Sequence, residues 1–124
     1  MIVSDNIDVL MIDDNDLQLE YLTDLFKKHG LASQSLNDST KAVDTIDRIK
    51  PKLIILDLMM PQLDGFTVLK RMRENKSLAS IPVIIYTGKY YPIDEKKAIS
   101  LGANSYLVKP VKGSVLVEEV KKYI

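Results

Sequence analysis

The sequence contains no cysteine, and neither sign of charge is in excess. Without cysteine, a disulfide framework, a zinc-thiolate site and a cysteine nucleophile are all excluded. Lysine and arginine together number 17, as do aspartate and glutamate, so no general attraction would draw the chain onto nucleic acid or an anionic membrane. Any partner must therefore be recognised through a local patch of surface.

Long apolar runs and the marks of a signal peptide are also missing. No apolar stretch approaches the roughly 18 residues that cross a bilayer. The N-terminal residues MIVSDN have neither a basic start nor an apolar run. We therefore expect a soluble, cytoplasmic protein, and the lack of cysteine fits a reducing compartment. The length of 124 residues suits one domain, which we expect to span residues 1–124.

Short apolar runs alternate with segments of helical period, five times along the chain. The predicted strands are residues 7–12, 31–36, 53–56, 82–86 and 105–108. Five strand-helix units favour an α/β fold, a doubly wound five-stranded parallel sheet of the flavodoxin-like type with helices on both faces. We predict the strand order 2-1-3-4-5. In such sheets ligands bind outside the carboxyl ends of the strands, beside the first strand.

The predicted helices are marked by their ends and by apolar stripes. Asn15, with Gln18 three residues later, and Asp64 are predicted N-caps, while Pro51 and Gly102 should end the second and fourth helices. We expect His29 to complement the negative end of the first helix. The predicted stripe of the first helix is Leu17, Tyr21, Leu22, Leu25 and Phe26, and that of the last is Leu116, Val117, Val120 and Ile124.

Polar residues follow four of the five predicted strands. Asp13 and Asp14 follow the first, Asp57 the third, Thr87 the fourth and Lys109 the fifth. The carboxyl ends of parallel strands meet at one edge, so we expect these side chains to converge. Three carboxylates would repel one another unless a cation joined them, and oxygen ligands favour Mg²⁺, for which Mn²⁺ or Ca²⁺ could substitute.

The same arrangement suits phosphoryl transfer. A metal ion, an ammonium and a hydroxyl can neutralise the phosphoryl oxygens while a carboxylate attacks in line. Asp57 is the predicted nucleophile, because it ends the middle strand, between the metal ligands on one side and Thr87 and Lys109 on the other. An acidic residue that ends a buried apolar run is unfavourable unless it has a partner, which also argues for a functional role.

With these residues in place, the sequence resembles the receiver domain of two-component response regulators. The resemblance runs from about Asp8 to Tyr123. Each motif is weak alone, but their order along the strand ends makes chance agreement improbable. The matching residues are Asp13-Asp14, Asp57 with Pro61 and Gly65, Thr87-Gly88, Gly102-Ala103, Tyr106 and Lys109-Pro110.

The resemblance implies a set of roles for these residues. Asp57 would take a phosphoryl group from a phosphohistidine on a sensor histidine kinase or histidine phosphotransfer protein, and the main-chain carbonyl of Met59 would join the three aspartates as a metal ligand. The Lys109–Pro110 peptide bond would be cis. Phosphorylation would draw in the Thr87 hydroxyl and turn Tyr106 inward. An output protein would then dock on the face made by the fourth helix, fifth strand and fifth helix.

Such a protein is not a conventional enzyme, although it would catalyse its own phosphorylation and dephosphorylation. Aspartyl phosphatases carry the motif Asp-x-Asp after the first strand of their sheet. Here the residue two positions after Asp57 is Met59, which is not acidic. No glycine-rich nucleotide-binding loop follows any predicted strand. The remaining alternative is a degenerate receiver that binds partners without phosphorylation, although no acidic or lysine position is lost.

For single residues, simpler interpretations stand beside the functional ones. Asp13 and Asp14 could be helix caps, Thr87 a turn residue, and Lys109 a solvated lysine. Tyr106 could be an ordinary core aromatic on a strand. The apolar side chains near Asp57 could serve packing or a partner surface, and the sequence does not decide between these for Met59, Met60 and Leu63.

Overall fold

Five strands and five helices alternate along the chain in a computed structural model that describes residues 6–124. A short 3₁₀ turn at Ser39–Lys41 precedes the second helix. The elements are β1 Val9–Ile12, α1 Asp16–Lys28, β2 Ser33–Leu36, α2 Ala42–Ile49, β3 Leu53–Leu56, α3 Gly65–Glu74, β4 Val83–Thr87, α4 Pro92–Ser100, β5 Ser105–Val108 and α5 Gly113–Lys121.

The five strands form one parallel sheet in the order β2-β1-β3-β4-β5. This confirms the predicted fold class and strand order. Ile12 at the end of β1 pairs with Leu56 at the end of β3, and Thr87 at the end of β4 pairs with Val108 in β5. The residues that follow these pairs therefore emerge together at the carboxyl edge of the sheet.

The sheet separates two apolar clusters, because successive side chains of a strand point to opposite faces. Leu10 and Ile54 belong to the cluster covered by α2, α3 and α4, whereas Met11 and Ile55 belong to the one covered by α1 and α5. Every residue of β1 and β3 is buried. Such strands need apolar side chains on both faces, which explains their continuous apolar runs.

Two of the predicted apolar stripes are partly wrong. In α1 the buried residues are Leu19, Leu22 and Phe26, whereas Leu17 is 78% exposed and Tyr21 is 50% exposed. Leu17 is two residues from Leu19, a step that turns an α-helix by about 200° and points the side chain away from the sheet. In the last helix Leu116, Val117 and Val120 are buried as predicted, but Ile124 lies beyond its end and is 42% exposed.

The predicted caps are confirmed. The Asn15 side chain accepts a hydrogen bond from the Gln18 amide at 3.1 Å, and Asp64 accepts one from the Thr67 amide at 2.9 Å. The helix α2 ends at Ile49, and the next residue, Lys50, has a left-handed conformation with φ of 46°. Within residues 6–124, none of the helices combines the length and the apolar character that a membrane span requires.

Candidate functional site at the carboxyl edge of the sheet

Three carboxylates lie together where β1 and β3 end. One oxygen from each of Asp13, Asp14 and Asp57 lies within 4.8 Å of the others. Asp13 is 4% exposed and Asp57 is 7% exposed, whereas Asp14 is open to solvent. The pairing of the two strands brings these groups together, since the Asp57 amide donates to the Ile12 carbonyl at 3.0 Å.

Asp13 is held from two sides. Its Oδ1 accepts a hydrogen bond from the Asn15 amide at 2.9 Å, and its Oδ2 accepts one from Lys109 Nζ at 2.5 Å. Burial raises the pKa of Asp13, and the hydrogen bond from Lys109 offsets only part of that increase. The nearby charge of Asp57 adds to it. A cation at this edge would therefore favour the ionised form of Asp13.

Lys109 joins two of the carboxylates. Its Nζ lies 2.5 Å from Asp13 Oδ2 and 3.2 Å from Asp57 Oδ2, and its side chain is only 18% exposed. Burial acts to lower the pKa of Lys109, but the hydrogen bond to Asp13 and the charge of Asp57 outweigh it, so the pKa is raised. Lys109 is therefore a fixed positive charge at neutral pH.

A backbone hydrogen bond fixes the position of Lys109. Its amide donates to the Thr87 carbonyl at 2.8 Å, which continues the pairing of β4 and β5 to their carboxyl ends. Its Nζ also lies 5.6 Å from the centre of the Tyr86 ring. The peptide bond between Lys109 and Pro110 is cis.

Asp57 sits in a tight loop between β3 and α3. Its Oδ1 accepts a hydrogen bond from the Met59 amide at 3.2 Å. A Cβ atom at Gly65 would lie 2.3 Å from the Asp57 carbonyl oxygen, so only glycine lets α3 begin this close to the loop. The Gly65 amide donates to the Leu58 carbonyl at 3.0 Å and closes the loop.

Thr87 ends β4 beside this cluster and is 1% exposed. Its hydroxyl oxygen is buried and has no hydrogen-bond partner among residues 6–124. Leaving a buried hydroxyl unpaired is unfavourable by about 1–3 kcal/mol, and such a group in a native protein requires an explanation. A ligand that accepts a hydrogen bond at this edge would supply one.

A family model for the response regulator receiver domain matches residues 9–121. The chain belongs to this family. It is 28% identical over 116 residues to the polar-differentiation response regulator DivK of Brucella anthropi, and the match covers 94% of both chains. It is 29% identical over 113 residues to the DNA-binding response regulator MtrA of Mycobacterium tuberculosis, a match that covers 91% of this chain. The chain spans about half the length of MtrA, 48%.

Solved structures share the fold of this receiver domain. The signal receiver domain of a signal transduction histidine kinase from Syntrophus aciditrophicus is 29% identical with a TM-score of 0.85, over 94% of this chain and 88% of that one. The chemotaxis protein CheY4 of Vibrio cholerae has a TM-score of 0.88 at 22% identity, over 97% of this chain and 100% of that one. At that identity, the likeness to CheY4 concerns the fold alone.

The methionines beside Asp57 in this receiver domain differ in their surroundings. Met60 is 8% exposed and belongs to the apolar cluster under α2, α3 and α4, and Leu63 packs against the same cluster. Met59 is 54% exposed. Of these three side chains, Met60 and Leu63 therefore serve packing, and Met59 is the one available at the surface.

Tyr106 lies in β5, and its hydroxyl oxygen is buried without a hydrogen-bond partner among the described residues. Burial raises the pKa of Tyr106, and the charges of Asp94 and Glu95 add to the effect. Its aromatic contact was not predicted from the sequence. Tyr90, three positions after Thr87, packs edge-to-face on the Tyr106 ring. The sequence signal that could have indicated Tyr90 is its place as an aromatic residue in the loop after β4, the strand that ends at Thr87.

The donor set at this edge fits a hard divalent cation. Asp13, Asp14 and Asp57 offer carboxylate oxygens, which are the ligands that Mg²⁺ prefers, and one of the three side chains is open to solvent. Three negative charges face one lysine, so the cluster keeps a negative excess. A cation of charge two would neutralise that excess.

Proposed function

We propose that this receiver domain accepts a phosphoryl group on Asp57, with Mg²⁺ bound, from a phosphohistidine on a sensor histidine kinase or a histidine phosphotransfer protein. The observation that carries the proposal is the Lys109 ammonium shared between Asp13 and Asp57. That contact sets a fixed positive charge against one oxygen of a nearly buried carboxylate at the ligand-binding edge of the sheet. Family membership supports the same chemistry.

Asp13, Asp14 and Asp57 would hold the metal ion, together with the main-chain carbonyl of Met59. When bound, Mg²⁺ supplies positive charge to the oxygens of the phosphoryl group. Mn²⁺ or Ca²⁺ could substitute, because both also accept carboxylate ligands. The exposed side chain of Asp14 leaves a route by which a cation reaches the cluster from solvent.

The chain's own residues then carry the transfer. A carboxylate oxygen of Asp57 attacks phosphorus, the P–N bond to the donor imidazole breaks, and the leaving nitrogen keeps the bonding electron pair. Because Lys109 already touches the Asp57 carboxylate, its ammonium can move onto a phosphoryl oxygen by a small rotation of the side chain. The Thr87 hydroxyl, which has no partner among residues 6–124, would donate to a second phosphoryl oxygen.

These parts belong to the receiver itself, so the domain would catalyse its own phosphorylation and, with water as the acceptor, its own dephosphorylation. We propose that Thr87 and Tyr106 form the switch, in which the phosphoryl group favours the buried orientation that Tyr106 has here. We also propose that an output protein docks on the face of α4, β5 and α5. We further propose that the protein acts in the cytoplasm and that residues 1–124 form one receiver domain. A receiver that works without phosphorylation is the alternative, but the complete set of aspartates and lysine does not favour it.

The phosphoacceptor is tested by incubating the protein with a small phosphodonor and Mg²⁺ and measuring its intact mass. We expect one acid-labile phosphoryl group on the unmodified protein and none on Asp57→Asn. Asp44→Asn is the control, because Asp44 is exposed on α2 and distant in sequence from the site. Phosphoryl incorporation that persists in Asp57→Asn would show that Asp57 is not the phosphoacceptor.

The metal is tested separately by thermal denaturation with and without Mg²⁺. Asp14→Ala removes one of three crowded negative charges, so we expect weaker Mg²⁺ binding together with a metal-free protein about 0.5 kcal/mol more stable. Asp44→Ala should change neither quantity. A metal-free Asp14→Ala protein that melts below the unmodified one would contradict the repulsion argument.

A further inference from the structure

The Tyr106 side chain is held in an orientation that its own polar group does not explain. The hydroxyl oxygen is buried and has no hydrogen-bond partner among residues 6–124. The rest of the side chain packs at the margin of the apolar cluster under α2, α3 and α4. A phenol hydroxyl is more stable in water than buried and unpaired, so another group must favour this orientation.

Tyr90 is placed to be that group. It lies in the loop between β4 and α4, and the two ring centres are 6.2 Å apart with an angle of 71° between the ring planes. Edge-to-face contacts of this kind are favourable beyond the surface they bury. Tyr90 is itself 51% exposed, so the apolar core does not fix its position.

A hydrogen bond to α4 fixes Tyr90 instead. Its hydroxyl donates to Glu95 Oε1 at 2.9 Å, and Glu95 lies in the first turn of that helix. The same hydrogen bond raises the pKa of Tyr90, and the charge of Glu95 adds to the effect. The ring is therefore attached at one side to the helix and contacts Tyr106 at the other.

The helix to which Tyr90 is attached is itself lightly packed. Ala98 is the one buried residue of α4, while Ile93 is 75% exposed and Ile99 is 47% exposed. Elements with few buried apolar contacts move at low free energy. A movement of α4 or of the loop before it would therefore carry the Tyr90 ring away from Tyr106.

We propose that Tyr90 is a positioning residue that keeps the Tyr106 hydroxyl buried, through the contact of the two rings and the anchor to Glu95. Loss of the Tyr90 ring lets Tyr106 turn outward, where its hydroxyl is hydrated. The orientation of Tyr106 is then set by the β4–α4 loop as well as by events at Asp57. Only this consequence for signalling rests on the proposed function, since the contact itself does not involve phosphate.

The test is the side-chain rotamer of Tyr106, measured by NMR couplings and ring contacts in tyrosine-labelled protein without phosphodonor. For Tyr90→Ala we expect the ratio of outward to buried rotamers to rise about three- to tenfold, the range set by the strength of such ring pairs. Tyr90→Phe keeps the ring but loses the bond to Glu95, so its ratio should lie between those of Tyr90→Ala and the unmodified protein.

Tyr91→Ala is the matched control, because Tyr91 is the same residue type, adjacent and equally exposed at 50%. We expect the Tyr106 rotamer to be unchanged in it. The proposal is overturned if Tyr106 keeps its rotamer in Tyr90→Ala, or if Tyr91→Ala shifts it equally.

Repeating the measurement with a beryllofluoride mimic separates this inference from the proposed function. In Tyr90→Ala, binding of the mimic should return Tyr106 toward the buried rotamer. If the mimic does not bind, the phosphoacceptor proposal fails while the rotamer ratios without it still decide the role of Tyr90. If the mimic binds but the rotamer ratios of Tyr90→Ala and the unmodified protein agree, only the role of Tyr90 fails.

Discussion

The two edges of the sheet differ in how far the hydrogen bonds of their polar groups are satisfied within the protein. At the amino edge of β4 and β5, Arg73 uses its guanidinium in five hydrogen bonds, to the carbonyls of Gly102, Ala79 and Ile81 and to the Asn104 side chain. At the carboxyl edge, three carboxylates lie together, one lysine contacts two of them, and the buried hydroxyl of Thr87 has no partner within residues 6–124.

The amino edge continues this pattern beyond Arg73. The Asn104 side chain also accepts from the Val83 amide at 2.9 Å, and Ser105 Oγ donates to Glu119 Oε2 at 2.6 Å. The Tyr123 hydroxyl lies 2.8 Å from Ser105 Oγ. Groups with their hydrogen bonds made stabilise the fold, whereas unpaired groups are ready for a ligand. We therefore expect the amino edge to contribute more to stability and the carboxyl edge more to ligand binding.

Arg73→Met should give the largest effect on stability, because it leaves several carbonyl groups at the amino edge without their donor. We expect the free energy of unfolding to fall by about 2–4 kcal/mol, measured by urea denaturation. Arg71→Met is the control, since Arg71 is exposed on the same helix, and it should change stability by about 0.5 kcal/mol or less. Equal losses in both variants would mean that the Arg73 hydrogen bonds contribute little.

Thr87→Val tests the difference between the two edges by its separate effects on stability and on phosphorylation rate. It removes a hydroxyl that has no partner in the described part of the chain while keeping the shape of the side chain, so stability should stay the same or rise by up to about 1 kcal/mol. The rate of phosphorylation by a small donor should fall roughly tenfold, because one donor to the phosphoryl group is lost. Ser105→Ala at the amino edge should do the reverse, with lower stability and an unchanged rate. A Thr87→Val protein that is clearly less stable would contradict the proposed difference between the two edges.

Glu119→Gln should have a smaller effect, and one that depends on pH. The hydrogen bonds from Ser105 and then Lys122 lower the pKa of Glu119 from its ordinary value of 4.5. Its contribution is therefore fully present above pH 4.5 and is lost as the pH falls through the lowered value. We expect Glu119→Gln to reduce stability by about 1 kcal/mol at pH 7 and by less at pH 3. Glu118→Gln, at the exposed neighbouring position, should lack this pH dependence.

Much of the fold and of the candidate site could be predicted because strand ends are visible in the sequence. The run Leu53–Leu56 stops at Asp57, and the run Ser105–Val108 stops at Lys109, so the edge that gathers these residues follows from the parallel topology. The errors were at Leu17, Tyr21 and Ile124, whose side chains are exposed. Helical spacing admits several stripes, and packing against the sheet selects one of them.

The features that escaped prediction depend on contacts between distant segments. Arg73 reads as one more basic residue at the end of a helix, yet its partner Gly102 lies 29 residues away. A Cβ atom at Gly102 would lie 2.7 Å from Arg73 Nε, and this glycine has a φ of 102°, so the two positions constrain each other. Tyr90 was missed for the same reason, because its partner Tyr106 is on another element.

The identity of the phosphorylated residue tests the central claim most directly. Borohydride reduces an aspartyl phosphate to homoserine, and mass spectrometry of the peptides then locates the residue that was modified. After incubation with a small phosphodonor and Mg²⁺, we predict homoserine at position 57 and at no other aspartate, with a yield that falls when the metal is removed. Homoserine at another position, or none at position 57 when Mg²⁺ is present, would contradict the account.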